Sequence, residues 1–287
     1  MWSVTPDRQA VSAAFAQESA RVVELVRNCR DLREPVPGLA WNVGQLAAHL
    51  TSVYLAFGST VRGDYQDADL ERAAAGAGAD AALPATIAAV NEYAIGLLTA
   101  DSAAAAAEGL AEQAAAFLEA IAAEDDLARE LPTPWYGIGM TRSVGTLASL
   151  VVTESLVHGH DLARAVHADP RMSQSSAAAA TPTVMSAMLP LLFAADRAKD
   201  HRAVYEVRVR GGERFVMRIA DGRAECFAAA EQDARKVDCV ISLDPRAALL
   251  IGFGRSSLAR AILNGAAFAS GRRPWLGLRF TSLFATP

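Results

Sequence analysis

The hydrophobic pattern of this chain changes from helical to alternating near residue 203, and this change most constrains its fold. Upstream, apolar residues recur every three or four positions in several long stretches. Downstream, apolar and charged residues alternate over 205–210 and again over 214–219, with Gly-Gly at 211–212 and Asp-Gly at 221–222. Such pairs between alternating stretches are strong signals for β-hairpins. The sequence therefore predicts a helical part followed by a part that contains an antiparallel sheet.

The helical part contains four to five long segments with connections that suit antiparallel neighbours. Helices are predicted at 5–31, 43–61, 84–127 (interrupted near 101–102), 145–167 and 175–198. Connections of this kind are typical of a helical bundle. The predicted fold class is thus α plus α+β, with a helical domain at 1–200 and a smaller antiparallel-sheet-and-helix domain at 201–287, divided near Lys199-Asp200-His201.

Composition excludes several classes of protein. The net charge of −5 argues against a nucleic-acid partner, which requires a basic patch. No apolar stretch of about 18 residues is free of charge or proline, so no membrane partner is expected. The three cysteines are far apart and lack CxxC spacing, which favours free thiols in the cytoplasm. The sequence does not indicate an oligomeric state.

The segment 153–161 carries the polar residues that most resemble a site. Glu154 and His158 are four residues apart in a predicted apolar helix, so they lie on one face, and Asp161 stays on that face. A carboxylate buried on such a helix costs several kcal/mol unless a positive or donating group meets it. A lone histidine is more often a core residue than a ligand, but this combination favours a metal site.

The third ligand is predicted to come from the segment 41–50. There, Asn42 and Gln45 form a capping-box pattern that begins a helix, and His49 borders the inner face of that helix. His49, Glu154 and His158 would supply two imidazoles and one carboxylate. This set suits zinc or another divalent ion with one open position.

Asp161 has two open interpretations. It is a candidate second-shell residue that accepts an imidazole N–H and fixes the tautomer of a ligand. Alternatively, it is a surface residue paired with Arg164, three positions further on. His160 is excluded as a ligand because it lies about 200° around the helix from His158.

Two segments together, 41–50 and 154–165, resemble the mycothiol-dependent maleylpyruvate isomerase family. That family belongs to the DinB-like metal-dependent thiol-transferase superfamily, and the resemblance covers about residues 5–198. Residues 203–287 resemble the sterol-carrier-like domain that is often fused to it, through the double hairpin and the segment 264–271.

The resemblance implies a DinB-like four-helix bundle that binds Zn²⁺, or another divalent metal, through His49, Glu154 and His158. It also implies mycothiol as cosubstrate and a small-molecule electrophile such as maleylpyruvate as substrate. Addition of a metal-stabilised thiolate to a cis double bond, rotation and elimination would give isomerisation, and addition alone would give S-transfer. In the second domain, Arg208 or Arg210 could hold a substrate carboxylate.

Two alternatives to a thiol-dependent isomerase or transferase remain open from the sequence. In the first, the chain is a non-catalytic small-molecule or lipid-binding protein whose metal site is structural or vestigial. In the second, it is a metal enzyme that uses no thiol. Neither the electrophile nor the catalytic residues beyond the metal ligands can be assigned from the residues alone.

Overall fold

The structure is a computed structural model that describes residues 2–66, 68–76, 83–137, 139–198, 201–231 and 236–286. The chain forms two compact units. One contains residues 7–176, and the other contains residues 1–6 together with 177–287.

In the part of the first unit that the structure describes, six helices account for most of the residues. The first three are α1 (Arg8–Arg27), α2 (Val43–Arg62) and α3 (Ala68–Gly76). They are followed by α4 (Leu83–Leu98), α5 (Ala103–Ala122) and α6 (Val144–Ala165). A small hairpin of β1 (Glu130–Pro132) and β2 (Thr141–Ser143) precedes α6 directly.

Side-chain caps determine where the helices that carry the candidate ligands begin. In α2, the Asn42 side chain accepts from the amide of Gln45, and the Gln45 side chain accepts from the amide of Asn42. This is the predicted capping box, and it satisfies two amides that a helix leaves free at its start. The Ser143 side chain caps α6 in the same way, by accepting from Thr146.

The core of this unit lies between α1, α2, α5 and α6. The Phe15 ring lies edge-on to Tyr54 and to Phe117, with ring centroids 5.0 and 5.1 Å apart, so α1, α2 and α5 meet at one aromatic cluster. The Tyr54 hydroxyl lies 2.6 Å from Ser155 Oγ, and Ser155 in turn donates to the carbonyl of Val151. The Tyr54–Ser155 hydrogen bond therefore links α2 to α6.

The second unit contains a five-stranded sheet in the order β5-β4-β3-β6-β7. The strands are β3 (Ala203–Val209), β4 (Arg214–Ala220), β5 (Arg223–Ala228), β6 (Cys239–Leu243) and β7 (Ala267–Ser270). Its helices are α7 (Gln174–Leu192, which begins three residues before the unit), α8 (Ala195–Ala198), α9 (Pro245–Gly252), α10 (Leu258–Leu263) and α11 (Gly277–Phe280). The predicted double hairpin corresponds to β3, β4 and β5.

The predicted fold class, helical first and α+β second, is confirmed, but the sheet is not purely antiparallel. Strand β3 pairs in parallel with β6, while its other neighbour β4 is antiparallel. The sheet is mixed because the chain leaves the hairpins and crosses over before it returns as β6. Alternation alone reports which residues face the core, and it does not report strand direction.

The division of the chain also differs from the predicted one. The prediction assigned all of 175–198 to the helical domain, whereas the structure groups residues from 177 onward with the sheet. The reason is that the β3–β4 turn packs closely against helix α7. A Cβ added at Gly212 in that turn would lie only 2.5 Å from the carbonyl oxygen of Ala178. Two of the three predicted boundary residues, at 199–200, lie outside the described residues.

The acidic segment 63–84, predicted as a loop or broken helix, contains α3, and its residues 67 and 77–82 lie outside the described part. Among the described residues, no single helix is long and apolar enough to cross a membrane. The pair α4 and α5 passes that test only together, and it is bent by 118°.

The link between α2 and α6 should be measurable as a coupling energy. We expect Tyr54→Phe to lower the free energy of unfolding by about 0.5–1.5 kcal/mol, because a buried hydrogen bond is lost while the ring still packs against Phe15. Denaturant unfolding of Tyr54→Phe, Ser155→Ala and the double variant checks this. Strictly additive effects of the two substitutions would contradict the link.

Candidate metal centre

Three predicted ligands meet inside the first unit, where α2 faces α6. His49 lies in the second turn of α2, and Glu154 and His158 occupy one face of α6. Both helices are apolar around these positions, so burial of the neighbouring side chains holds the three polar groups away from water. The two imidazoles are almost completely buried, with 6% of each side chain exposed, whereas Glu154 retains 18%.

The two imidazoles converge on a single carboxylate oxygen. His49 Nε2 lies 3.3 Å from Glu154 Oε2, and His158 Nε2 lies 3.1 Å from the same atom. The imidazole rings stand edge to face, 5.0 Å apart and at 86°. One ligand atom from each residue lies within 4.8 Å of the others.

The electrostatics of the cluster favour an ionised carboxylate. Burial alone raises the pKa of Glu154, but hydrogen bonds from His158 and His49, together with their charges, outweigh burial and bring this pKa well below its ordinary value. The Glu154 carboxylate is therefore negatively charged throughout the neutral pH range.

The two histidines differ in how tightly they hold a proton. Burial lowers the pKa of His49, and the hydrogen bond to Glu154 does not compensate for it. Burial also lowers the pKa of His158, but Asp161 and Glu154 outweigh it, so the pKa of His158 ends above its ordinary value. A metal ion would therefore compete with a proton mainly at His158.

Asp161 lies behind His158. Its Oδ2 is 3.2 Å from His158 Nδ1, the ring nitrogen that points away from Glu154, and its side chain is 0% exposed. This geometry suits the second-shell interpretation, because a carboxylate that accepts from Nδ1 leaves Nε2 directed at the cluster, where it can bind an ion once it gives up its proton. The alternative of a surface pair does not fit full burial, and Arg164 Nη1 lies 3.4 Å from the carbonyl oxygen of Pro37.

Of two further side chains, Trp41 lies against the cluster and His160 lies apart from it. The Trp41 ring covers it, with its centroid 5.1 Å from that of His49 and 6.4 Å from that of His158. His160, which helical geometry excluded, points elsewhere and places Nδ1 2.7 Å from the carbonyl oxygen of Pro170.

The residues present fit a divalent ion. Tetrahedral zinc with bonds of about 2.0–2.1 Å separates its ligand atoms by roughly 3.3–3.4 Å. The two Nε2–Oε2 distances of 3.3 and 3.1 Å are close to this separation. Two imidazoles and one carboxylate also leave a fourth position open, which is typical of catalytic rather than structural zinc.

Sequence reasoning did not identify Tyr136, on which the charge of Glu154 acts, or Arg142, which packs against Tyr136. Burial and the charge of Glu154 raise the pKa of Tyr136, so its phenol is within electrostatic range of the carboxylate. The Arg142 guanidinium carbon lies 5.5 Å from the centroid of the Tyr136 ring. The sequence does contain a signal for both residues. Tyr136 belongs to an aromatic pair at 135–136, and Arg142 is a single arginine just before an apolar helix.

Arg208 and Arg210, which the sequence suggested for substrate binding, both have acceptors within the second unit. Arg208 Nε lies 2.7 Å from Glu206 Oε1, and Arg210 Nη2 lies 2.8 Å from the carbonyl oxygen of Gly265.

A family model described as the mycothiol maleylpyruvate isomerase N-terminal domain matches residues 13–163. This range spans just over half of the chain and contains all three converging side chains. The chain belongs to this family. The predicted resemblance to it is thereby confirmed, whereas the sterol-carrier-like character of the second unit stays a prediction.

Solved structures agree with this family at the level of the fold. The crystal structure of the mycothiol-dependent maleylpyruvate isomerase matches with a TM-score of 0.51 and 12% identity. A mutant of that enzyme matches with a TM-score of 0.54 and 11% identity. Each match covers 92% of this chain and 93% of the other. No curated protein matches the chain. The family and the fold of this chain are thus those of an enzyme.

The three converging side chains should be necessary for metal binding. We expect the chain to bind about one zinc ion, and His49→Ala and His158→Ala each to lose it, because removal of one of three ligands leaves an incomplete site. Metal analysis of the purified proteins measures this. His160→Ala is the matched control and should retain zinc. Retention of a full equivalent by both ligand variants would rule out this ligand set.

Asp161 should affect metal affinity without being a ligand. We expect Asp161→Asn to weaken zinc binding by about 10–100-fold, because the uncharged amide accepts from Nδ1–H less strongly than the carboxylate and can also present its NH2 group to that nitrogen. Competition titration with a chelator measures the affinity. An unchanged affinity would assign Asp161 to core packing only.

Proposed function

We propose that this chain is a metal-dependent enzyme that uses a low-molecular-weight thiol, mycothiol, to isomerise a small electrophile such as maleylpyruvate. Its metal ligands are His49, Glu154 and His158. S-transfer to such an electrophile is the related outcome of the same chemistry when elimination does not follow.

One observation carries the proposal: the Nε2 atoms of His49 and His158 approach one oxygen of Glu154 at 3.3 and 3.1 Å. They do so within residues 13–163, the range matched by a family whose name specifies mycothiol and maleylpyruvate. The ligand set supports a divalent ion, and the family supports the thiol.

The chain's own residues would divide the work at this centre. Glu154 supplies the negative charge that balances a divalent ion, and its partly exposed side chain marks the direction from which small molecules can approach. Asp161 holds the His158 ring in position, and Trp41 shields the imidazoles from water. A divalent ion bound there supplies a Lewis acid that lowers the pKa of a thiol below the ~8.5 of a free one.

Several finer properties belong to this proposal. Zinc is the preferred ion because two imidazoles and one carboxylate are typical of its open sites. The partners are a thiol and a small-molecule electrophile, and the location is the cytoplasm. We also propose that the chain has two domains, with the second resembling a sterol-carrier-like domain.

Turnover should require both metal and thiol. We expect the zinc-loaded full chain to convert maleylpyruvate only when mycothiol is present, as followed by chromatography of substrate and product. Removal of zinc with a chelator, or the His158→Ala substitution, should reduce conversion to the uncatalysed rate. A zinc-loaded protein that shows neither conversion nor a calorimetric signal with mycothiol would favour a non-catalytic binding protein instead.

A further inference from the structure

Arg142 is a buried cation with unused hydrogen-bond donors. It lies on β2, directly before α6, and only 6% of the residue is exposed. Its Nη1 donates to the carbonyl oxygen of Thr141, whereas Nε and Nη2 are buried and have no hydrogen-bond partner. Buried donors of this kind are uncommon in folded proteins and call for an explanation.

No carboxylate of the described residues forms an ion pair with Arg142. Burial lowers the pKa of this guanidinium, and the more distant groups of Tyr136 and Glu130 only partly oppose it. A buried, uncompensated charge is costly to the folded state. The cost is understandable if a negatively charged ligand completes the environment of Arg142.

The two free nitrogens have the geometry that a carboxylate needs. Nε and Nη2 lie on one edge of the planar guanidinium, and their N–H bonds form the fork that pairs with two carboxylate oxygens. The remaining donor, Nη1, is the one that the carbonyl of Thr141 occupies. The single contact to the backbone therefore leaves the bidentate edge available.

Aromatic packing positions Arg142 and the segment before it. The Arg142 guanidinium lies against the Tyr136 ring, 5.5 Å from its centroid. The adjacent Trp135 stacks on Phe57 of α2, with centroids 5.1 Å apart, and this contact fixes the segment before β2. Tyr136 itself is within electrostatic range of Glu154. Arg142 thus packs against the aromatic side chain on which the charge of Glu154 acts.

We propose that Arg142 binds a carboxylate of the electrophilic substrate through Nε and Nη2. This inference rests on the proposed function and specifies the substrate class as a small carboxylic acid whose reactive carbons reach the metal centre. Maleylpyruvate is such a compound, with a carboxylate at each end. Arg142 is thereby assigned a binding role, distinct from the metal ligands.

Two substitutions separate the charge of Arg142 from its fork. Arg142→Gln removes the charge, and Arg142→Lys keeps it but loses the bidentate edge. We expect Arg142→Gln to raise KM for maleylpyruvate about 10–100-fold with a smaller change in kcat, because charge-assisted bidentate pairs are the strong hydrogen bonds. Arg142→Lys should show an intermediate KM. Arg171→Gln, at an exposed arginine paired with Asp169, is the matched control.

A binding measurement without turnover completes the experiment. Calorimetry with maleate, in the absence of thiol, should show wild-type binding that weakens about 10–100-fold in Arg142→Gln, and dimethyl maleate, which carries no carboxylate, should discriminate less between the two proteins. Zinc content should be equal in both. Equal weakening for the diacid and the ester would indicate a merely structural role and overturn the inference, as would unchanged maleate binding in Arg142→Gln or no maleate binding by wild type.

The two proposals can fail separately. A zinc-loaded wild type that binds maleate through Arg142 but shows no thiol-dependent turnover contradicts the proposed function and still supports the carboxylate site. Thiol-dependent turnover that is unaffected by Arg142→Gln supports the proposed function and overturns the carboxylate site.

Discussion

The Glu154 carboxylate between two imidazoles is the interaction on which the arrangement of the helical unit depends. A buried negative charge destabilises a protein unless positive or donating groups meet it. Here His49 from α2 and His158 from α6 both do so, and the apolar faces of the two helices exclude water around them. The Tyr54–Ser155 hydrogen bond reinforces the same helix pair one turn away.

Sequence periodicity predicted this site because helix geometry converts spacing into direction. A separation of four residues placed Glu154 and His158 on one face, and the capping box at Asn42 marked the start of the helix that carries His49. The approach of α2 to α6 could not be derived from either helix alone. It came from the family resemblance and from the demand that a buried carboxylate has partners.

Arg142 and Tyr136 escaped prediction for a physical reason. They lie on a strand of a short hairpin and in the connection between its two strands, where no period relates sequence spacing to direction. The parallel pairing of β3 with β6 escaped for a similar reason, since alternation is the same in either strand direction. Local patterns therefore predicted which residues are buried, whereas long-range contacts determined which of them meet.

The distance along the chain between His49 and Glu154, 105 residues, has a consequence for folding. An unfolded chain would bring only Glu154 and His158 together by local contacts, and two ligands bind an ion weakly. The complete set exists only after α2 and α6 have docked, so an ion would bind the native state far more tightly than the unfolded ensemble. By mass action, the concentration of free metal ion would then affect how much of this protein stays folded.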